Sequence, residues 1–321
     1  MSGWYVNCRY LLAVLLVLVA SAARATTWDE PWHERVVKEA DHFVLATVTK
    51  ADKQQLTLQI IRDAAGGTLD GSLQVTDFYL LDLCSTSGGH GPEFHLDAAD
   101  TAYFFLKKNP QGGFSLATPS TGFAGVSKGI VYATYRHSYH QAGVEQPVYE
   151  MTMGAIFRKY HGLPYDAAPV RAFITEQLAH KPAPISEEGM ADFFRQHVAL
   201  ETIYHLGFTE YYASTLPFLH DADNFHAQVS AARALMAINT PEAHQELLQL
   251  LQDNNTTDFT KVVAIRTLAA HQPHDLKPTL QKLVKKASEE ENGFGGNIMD
   301  PRICTRIPTV QKALMELVSA L

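Results

Sequence analysis

The sequence predicts an α+β protein: a small β-barrel or sandwich followed by a stack of α-helical hairpins. Three observations carry this. Between Asp41 and Tyr135 short apolar runs alternate with turn residues, after Ser186 the pattern changes to helical periodicity, and that second half repeats itself at offsets of 32 and 33 residues. Short strands at regular spacing make a sandwich or barrel. A helical repeat of this length stacks its hairpins on one another.

Before either part comes an export signal. Arg9 precedes the uninterrupted apolar run from Leu11 to Ala20, which stops at Ser21 and leads to Ala23-Arg24-Ala25, a small-x-small cleavage pattern. The run is about half the roughly 20 residues that a membrane-spanning helix needs. Residues 1–25 are expected to be removed, leaving Thr26 as the mature N-terminus of an extracytoplasmic protein, periplasmic or secreted, with no membrane span after cleavage. Removal takes Arg9 and Arg24 and no acid, so the formal net charge of −8 becomes −10. That charge repels phosphate backbones and argues against a nucleic-acid partner.

The first part of the mature chain, 26–145, opens with a short helix from Pro31 to Ala40, for which Asp29 is the candidate cap and Val36 and Val37 the apolar edge. Strands are expected at 42–49, 55–61, 72–76, 101–106 and 113–117, separated by Gly66-Gly67, Asp70-Gly71, Asn109-Pro110 and Gly112-Gly113. Leu56, Leu58 and Ile60 alternate with Thr57 and Gln59, as a half-buried strand requires. A helical connection, 146–185, ends in Lys181-Pro-Ala-Pro-Ile-Ser186, and residues 186–321 form the helical part. A segment beginning at Ser186 is expected to fold alone, because repeat stacks draw their stability from neighbouring repeats.

The repeat is read from Ala199-Leu-Glu-Thr-Ile-Tyr-His-Leu206, Ala231-Ala-Arg-Ala-Leu-Met-Ala-Ile238 and Ala264-Ile-Arg-Thr-Leu-Ala-Ala-His271, in which Ile203, Leu235 and Leu268 coincide. Second helices recur at 216–219, 248–251 and 281–284, and Val310-Gln-Lys-Ala-Leu-Met-Glu-Leu317 is a fourth, degenerate copy. The alternative is an ordinary closed helical bundle. The block Ser230–Asp253, with its Ala-rich helix, Thr240-Pro241-Glu242 turn and Leu-rich helix closed by Asp, resembles the short HEAT-like repeat of the PBS-lyase type. The resemblance covers about residues 187–321 and implies a curved helical stack that binds other proteins. In the first half, the strand order with Cys84 between strands resembles OB-like domains of the netrin and metalloproteinase-inhibitor type. The N-terminal cysteine with which such inhibitors bind metal is absent, so inhibitor activity does not follow from that likeness.

Two cysteines lie beyond the signal, Cys84 and Cys304, and an oxidising compartment makes them a candidate disulfide or else two buried thiols. Cys84, His90 and His95 could instead hold a metal from one loop, with Glu93 nearby. No other cofactor is implied. His137 and His140 fall on what reads as a strand, where residues three apart point to opposite faces. There is no His-Glu-x-x-His, no Gly-x-Ser-x-Gly elbow and no phosphate loop, so no catalytic residue is assigned. On the first-aligned helices Gln228, Arg233, Lys261 and Arg266 are expected to form an exposed cationic strip, a docking surface for an acidic protein partner. Three functions stay open: an exported binding or scaffolding protein, a metal-binding protein or metalloenzyme, and an inhibitor of secreted enzymes acting through the β part.

Overall fold

A computed structural model describes residues 28–29, 32–52, 55–65, 67–76, 96–117, 122–137, 140–290, 303–304 and 307–321, with 28–29 and 303–304 described as backbone only. The architecture is α+β, a closed barrel with added strands followed by helices. After the short strand β1 (Trp28–Asp29) and helix α1 (His33–Glu39) come β2 (His42–Ala51), β3 (Gln55–Asp63), β4 (Ser72–Thr76), β5 (Thr101–Lys108) and β6 (Phe114–Leu116). These five pair in the order β2-β3-β4-β6-β5, and β5 returns to pair with β2, which closes the barrel. From β5 the sheet continues outward through β7 (Phe123–Ser127), β8 (Ile130–Thr134) and β9 (Gln141–Glu145).

The composition of β2 and β5 explains their place. Both read as near-continuous apolar runs, which a strand needs when both of its faces are covered. Val44, Ala46 and Val48 of β2 and Ala102, Phe104 and Leu106 of β5 point into the barrel with Leu56, Leu58 and Val75. The alternate residues, Phe43, Leu45, Tyr103 and Phe105, point out into a second core shared with the helices. There Phe43 stacks on Phe105 at 4.9 Å and on Tyr103 at 5.5 Å between ring centroids.

The helices are α2 (Gln146–Tyr160), α3 (Ala168–Leu178), α4 (Met190–Leu206), α5 (Tyr212–Leu219), α6 (Phe225–Ala234), α7 (Pro241–Gln252), α8 (Asp258–His271), α9 (Lys277–Val284) and α10 (Val310–Ala320). Their starts follow local chemistry. The side chains of Asn224, Thr240, Thr257 and Thr309 each accept a hydrogen bond from the backbone N–H three residues on, capping α6, α7, α8 and α10. Alternate helices α4, α6, α8 and α10 pack in a row, and α5, α7 and α9 each pack against the helix that follows. The aligned segments 199–206, 231–238 and 264–271 therefore occupy successive helices of the row, with 235–237 a 3-10 turn at the end of α6.

The outer face of the sheet, α2 and the helical row form one continuous apolar core. Helix α4 packs on β9 and α2 on one side and on α6 on the other. A segment beginning at Ser186 would lack β9, α2 and α3, against which α4 packs, and would keep α6.

Helix α1 differs from its expected form at its first turn. Trp32, not Asp29, holds the cap position, and no side chain caps the helix. The His33 N–H donates instead to the Arg136 carbonyl at 2.9 Å, so the chain just after β8 satisfies the helix end. Asp29 pairs through its backbone with Cys304 in a parallel ladder between β1 and β10 (Ile303–Cys304).

Candidate functional site

Glu201, Arg233 and Arg266 occupy the same position in the three aligned segments, and Lys312 takes that position in the fourth. The row of helices turns this sequence coincidence into a ladder of charged side chains, and α1 folds back across it. Glu201 is fully buried, with Arg136 and Arg233 each 3 % exposed beside it. One carboxylate oxygen of Glu201 accepts Arg233 Nε at 2.8 Å, the other accepts the Ser230 hydroxyl at 2.8 Å, and Arg136 Nη1 lies 3.9 Å away. Arg233 also reaches Glu34 of α1 at 3.4 Å, and Glu34 accepts the Tyr204 hydroxyl at 3.0 Å. Two buried cations thus have two acidic partners, which buried charges require.

Proton equilibria follow this arrangement. Burial alone would raise the Glu34 carboxyl, but the Arg233 charge brings it down to about 2. Burial lowers Arg136 to about 10 against the attraction of Glu201. Arg233 moves the other way: burial opposes its charge, and Glu201 and Glu34 together hold it above the ordinary arginine value.

Trp32 lies under two of these cations, with the Arg233 guanidinium 4.6 Å and the Arg266 guanidinium 5.2 Å from its ring centroid. Trp32, Glu34, Tyr204, Arg233, Met236 and Arg266 line a cleft of about 290 Å³. Arg266 is half-buried there and has no hydrogen-bonding or ion-pair partner among the described residues. From Arg266 a second, wider groove of about 540 Å³ continues between α8 and α10.

The expected exposed strip is corrected in part. Gln228 and Arg233 are each 3 % exposed: Gln228 donates to the Leu219 carbonyl at 3.2 Å, and Arg233 is committed to Glu201. Lys261 and Arg266 are half-buried. Gln228 and Arg233 are inward because α5 and α1 cover the faces that a bare repeat stack would leave open.

A histidine cluster joins the network from the β8–β9 connection. His137 and His140 lie in a turn closed by the His140 N–H donating to the His137 carbonyl at 2.9 Å, not on a strand as the sequence suggests. His137 meets the Trp32 ring edge-on at 5.7 Å. His140 stacks on His197 of α4 at 3.9 Å and meets His226 of α6 at 5.1 Å. The Ser230 proton goes to Glu201, so at 2.9 Å His197 Nδ1 is the donor to Ser230 Oγ, and His197 Nε2 is an acceptor without a partner among the described residues. Burial lowers all three histidines, His140 and His197 well below the ordinary value and His226 to about 4, and the nearby Arg136 charge adds to each shift.

The chemistry open to these groups is limited by their order. Serine, histidine and glutamate are adjacent, but Ser230 lies between the other two and gives its proton to the acid, while a serine nucleophile must give it to the base. Ser230 is fully buried, and the void beside His197 and His226 is about 10 Å³, room for one water molecule. The stacked His140 and His197 present faces rather than nitrogens to each other, and among the described residues no three His, Cys, Asp or Glu side chains are arranged to hold a metal ion.

Cys84, His90 and His95 lie outside the described residues, as does the expected cleavage point at Thr26; of Cys304 only the backbone is described. Among the described residues no helix is long and apolar enough to cross a membrane. No protein-family model, curated protein or solved structure matches the chain.

Proposed function

We propose that the chain is an exported binding or scaffolding protein that receives a partner protein in the cleft between α1 and the helical row. The observation that carries this reading is Arg266: an arginine half-buried in a concave site, stacked on Trp32, with its donors unpaired by any described residue. Glu34 and Glu316 attract this half-buried cation without hydrogen-bonding to it, which leaves its donors open to an acid from outside. The neighbouring Glu201, Arg136, Arg233 and Glu34 are satisfied by one another and form a fixed floor beneath it. The resemblance of 187–321 to HEAT-like repeats agrees, since stacked hairpins make concave protein-binding surfaces. The apolar run Leu11–Ala20 and the small-x-small pattern Ala23-Arg24-Ala25 support a secretory signal, and with it an activity outside the cytoplasm.

Site-specific photocrosslinking in the native envelope tests the proposal. A photoreactive residue at Met236, in the cleft, is expected to give a discrete adduct with another protein, whereas the same residue at exposed Leu163 gives none. Absence of an adduct from Met236, or equal labelling from both positions, would remove the cleft as the binding site.

A further inference from the structure

The charge balance of the cleft names the chemistry of its partner. Resting on the reading above, we propose that the groove between α8 and α10 takes an acidic segment of the partner protein, one carboxylate seated on Arg266 and an adjacent apolar side chain on the groove wall. Four cations, Arg136, Arg233, Arg266 and Lys312, face three carboxylates, Glu34, Glu201 and Glu316, across the two connected sites. Arg136 and Arg233 are held by Glu201 and Glu34. Arg266 and exposed Lys312, opposite it across the groove, then share one carboxylate, exposed Glu316, which leaves one positive charge in the groove.

The same position along the row changes from acid to base as the groove opens. Glu201 and Arg233 close on each other at 2.8 Å, whereas Arg266 and Lys312, at the next two repeats, have no such complement among the described residues. On a chain of net charge −8 this is a local reversal of sign. The Trp32 ring beneath Arg266 orients its planar guanidinium, the fork that binds a carboxylate through two parallel hydrogen bonds. Burial and the Arg233 charge lower Arg266 against the attraction of Glu34 and Glu316, and an incoming carboxylate would add to that attraction.

The groove also selects what stands next to the acid. Ile265, Ala269, Ile307, Pro308, Ala313 and Leu317 form an apolar wall, and exposed Glu316 stands at its rim. A second acid close to the first would face Glu316, and a strongly acidic partner would be repelled by the whole chain. One carboxylate flanked by apolar residues is the segment that fits.

The test uses a fluorescent, end-blocked decapeptide with a single central Glu between two Leu in a Ser/Gly background, and its counterpart with Gln for that Glu, titrated into the full mature chain by polarisation. The Glu peptide is expected to bind, and to weaken tenfold or more on exchange to Gln or in Arg266→Gln, with Arg266→Lys between. Thermal unfolding checks that each variant is folded. If Arg266→Gln is not, the Glu-to-Gln peptide exchange still tests the contact on the unaltered protein. No binding of the Glu peptide, or equal binding of both peptides, would overturn the proposal. Equal competition by free glutarate would make this a small-molecule site. An Arg266-dependent dimer in sedimentation would make the occupant a second copy, and peptide binding only after deletion of residues 291–302 would make it the chain's own segment. A Met236 crosslink that survives Arg266→Gln would leave the partner-binding reading standing while removing the acidic anchor, and loss of both would remove both.

Discussion

At the scale of single residues, Glu201 decides whether the helical row can carry its two buried arginines. Glu201→Ala leaves Arg136 and Arg233 in the interior with Glu34 alone to compensate them. Removing one member of a buried ionic network costs roughly 3–5 kcal/mol, so urea unfolding is expected to show a loss of that size, and a loss below about 1 kcal/mol would mean that the network is not what holds the arginines. Protonation probes the same region. His33, His140, His197, His205 and His226 are all lowered by burial from the ordinary value of 6.5, His33 to about 3 and His226 to about 4. The unfolded chain therefore takes up protons first, so their contribution is complete above pH 6.5 and is lost as pH falls below it, by about 1.4 kcal/mol per unit for each histidine still neutral in the fold. Glu34, lowered to about 2, adds a loss of the same sign once pH drops below its ordinary 4.5. The unfolding midpoint is expected to fall steadily between pH 7 and 4, and a flat profile would contradict these burials. Arg233 and Arg266 are legible in the repeat as equivalent residues, but their burial is not, because no local pattern announces that α1 lies across them.

At the scale of elements, most helix and strand positions follow from local chemistry. The cap residues Asn224, Thr240, Thr257 and Thr309 act where they stand, and β4 spans the five residues its alternation marks. Closure of the barrel was not legible, since pairing of β2 with β5 joins segments about 60 residues apart and depends on register rather than on either segment alone. Nor were the places of His137 and His140, which the sequence puts on a strand but which meet Trp32 at the start of α1 and the histidines of α4 and α6. Helix α4 ends by a rule that can be tested by itself. Gly207 adopts φ 71° and its N–H returns to the Ile203 carbonyl at 3.0 Å, a left-handed C-terminal cap. No atom lies within 4 Å of where a Cβ would stand, so Gly207→Ala meets only the backbone penalty. That penalty is about 1 kcal/mol, with Gly207→Asn costing less because asparagine tolerates this conformation. Equal stability of the Ala and Asn variants in urea would show that the conformation relaxes when Gly is lost.

For the whole molecule, the repeat pattern and the core give opposite expectations, and α4 is where they conflict. A repeat stack needs only its neighbours, yet eleven of the seventeen residues of α4 are buried, and they face in two directions. One side meets α6. The other meets β9 and α2, where His205 Nε2 donates to the Tyr135 carbonyl at 2.7 Å and Tyr160 donates to His205 Nδ1 at 2.8 Å. Glu201 takes its second arginine from the β8–β9 connection, and α1 covers Tyr204 and Arg233. A fragment beginning at Ser186 would keep its helical periodicity and caps but expose the sheet-facing side of α4 and leave the polar groups of Glu201 and His205 short of partners. It is expected to show strong far-ultraviolet helicity, to bind a hydrophobic dye, and to unfold in urea over a broad range with a smaller slope than the full chain, the behaviour of a helical state without fixed packing. Adding a separately expressed piece covering residues 26–185 should restore a sharp transition if the shared core is what is missing. A sharp, dye-free transition in the fragment alone, at the midpoint of the full protein, would show that the helical row is self-sufficient and that its contacts with the sheet contribute little.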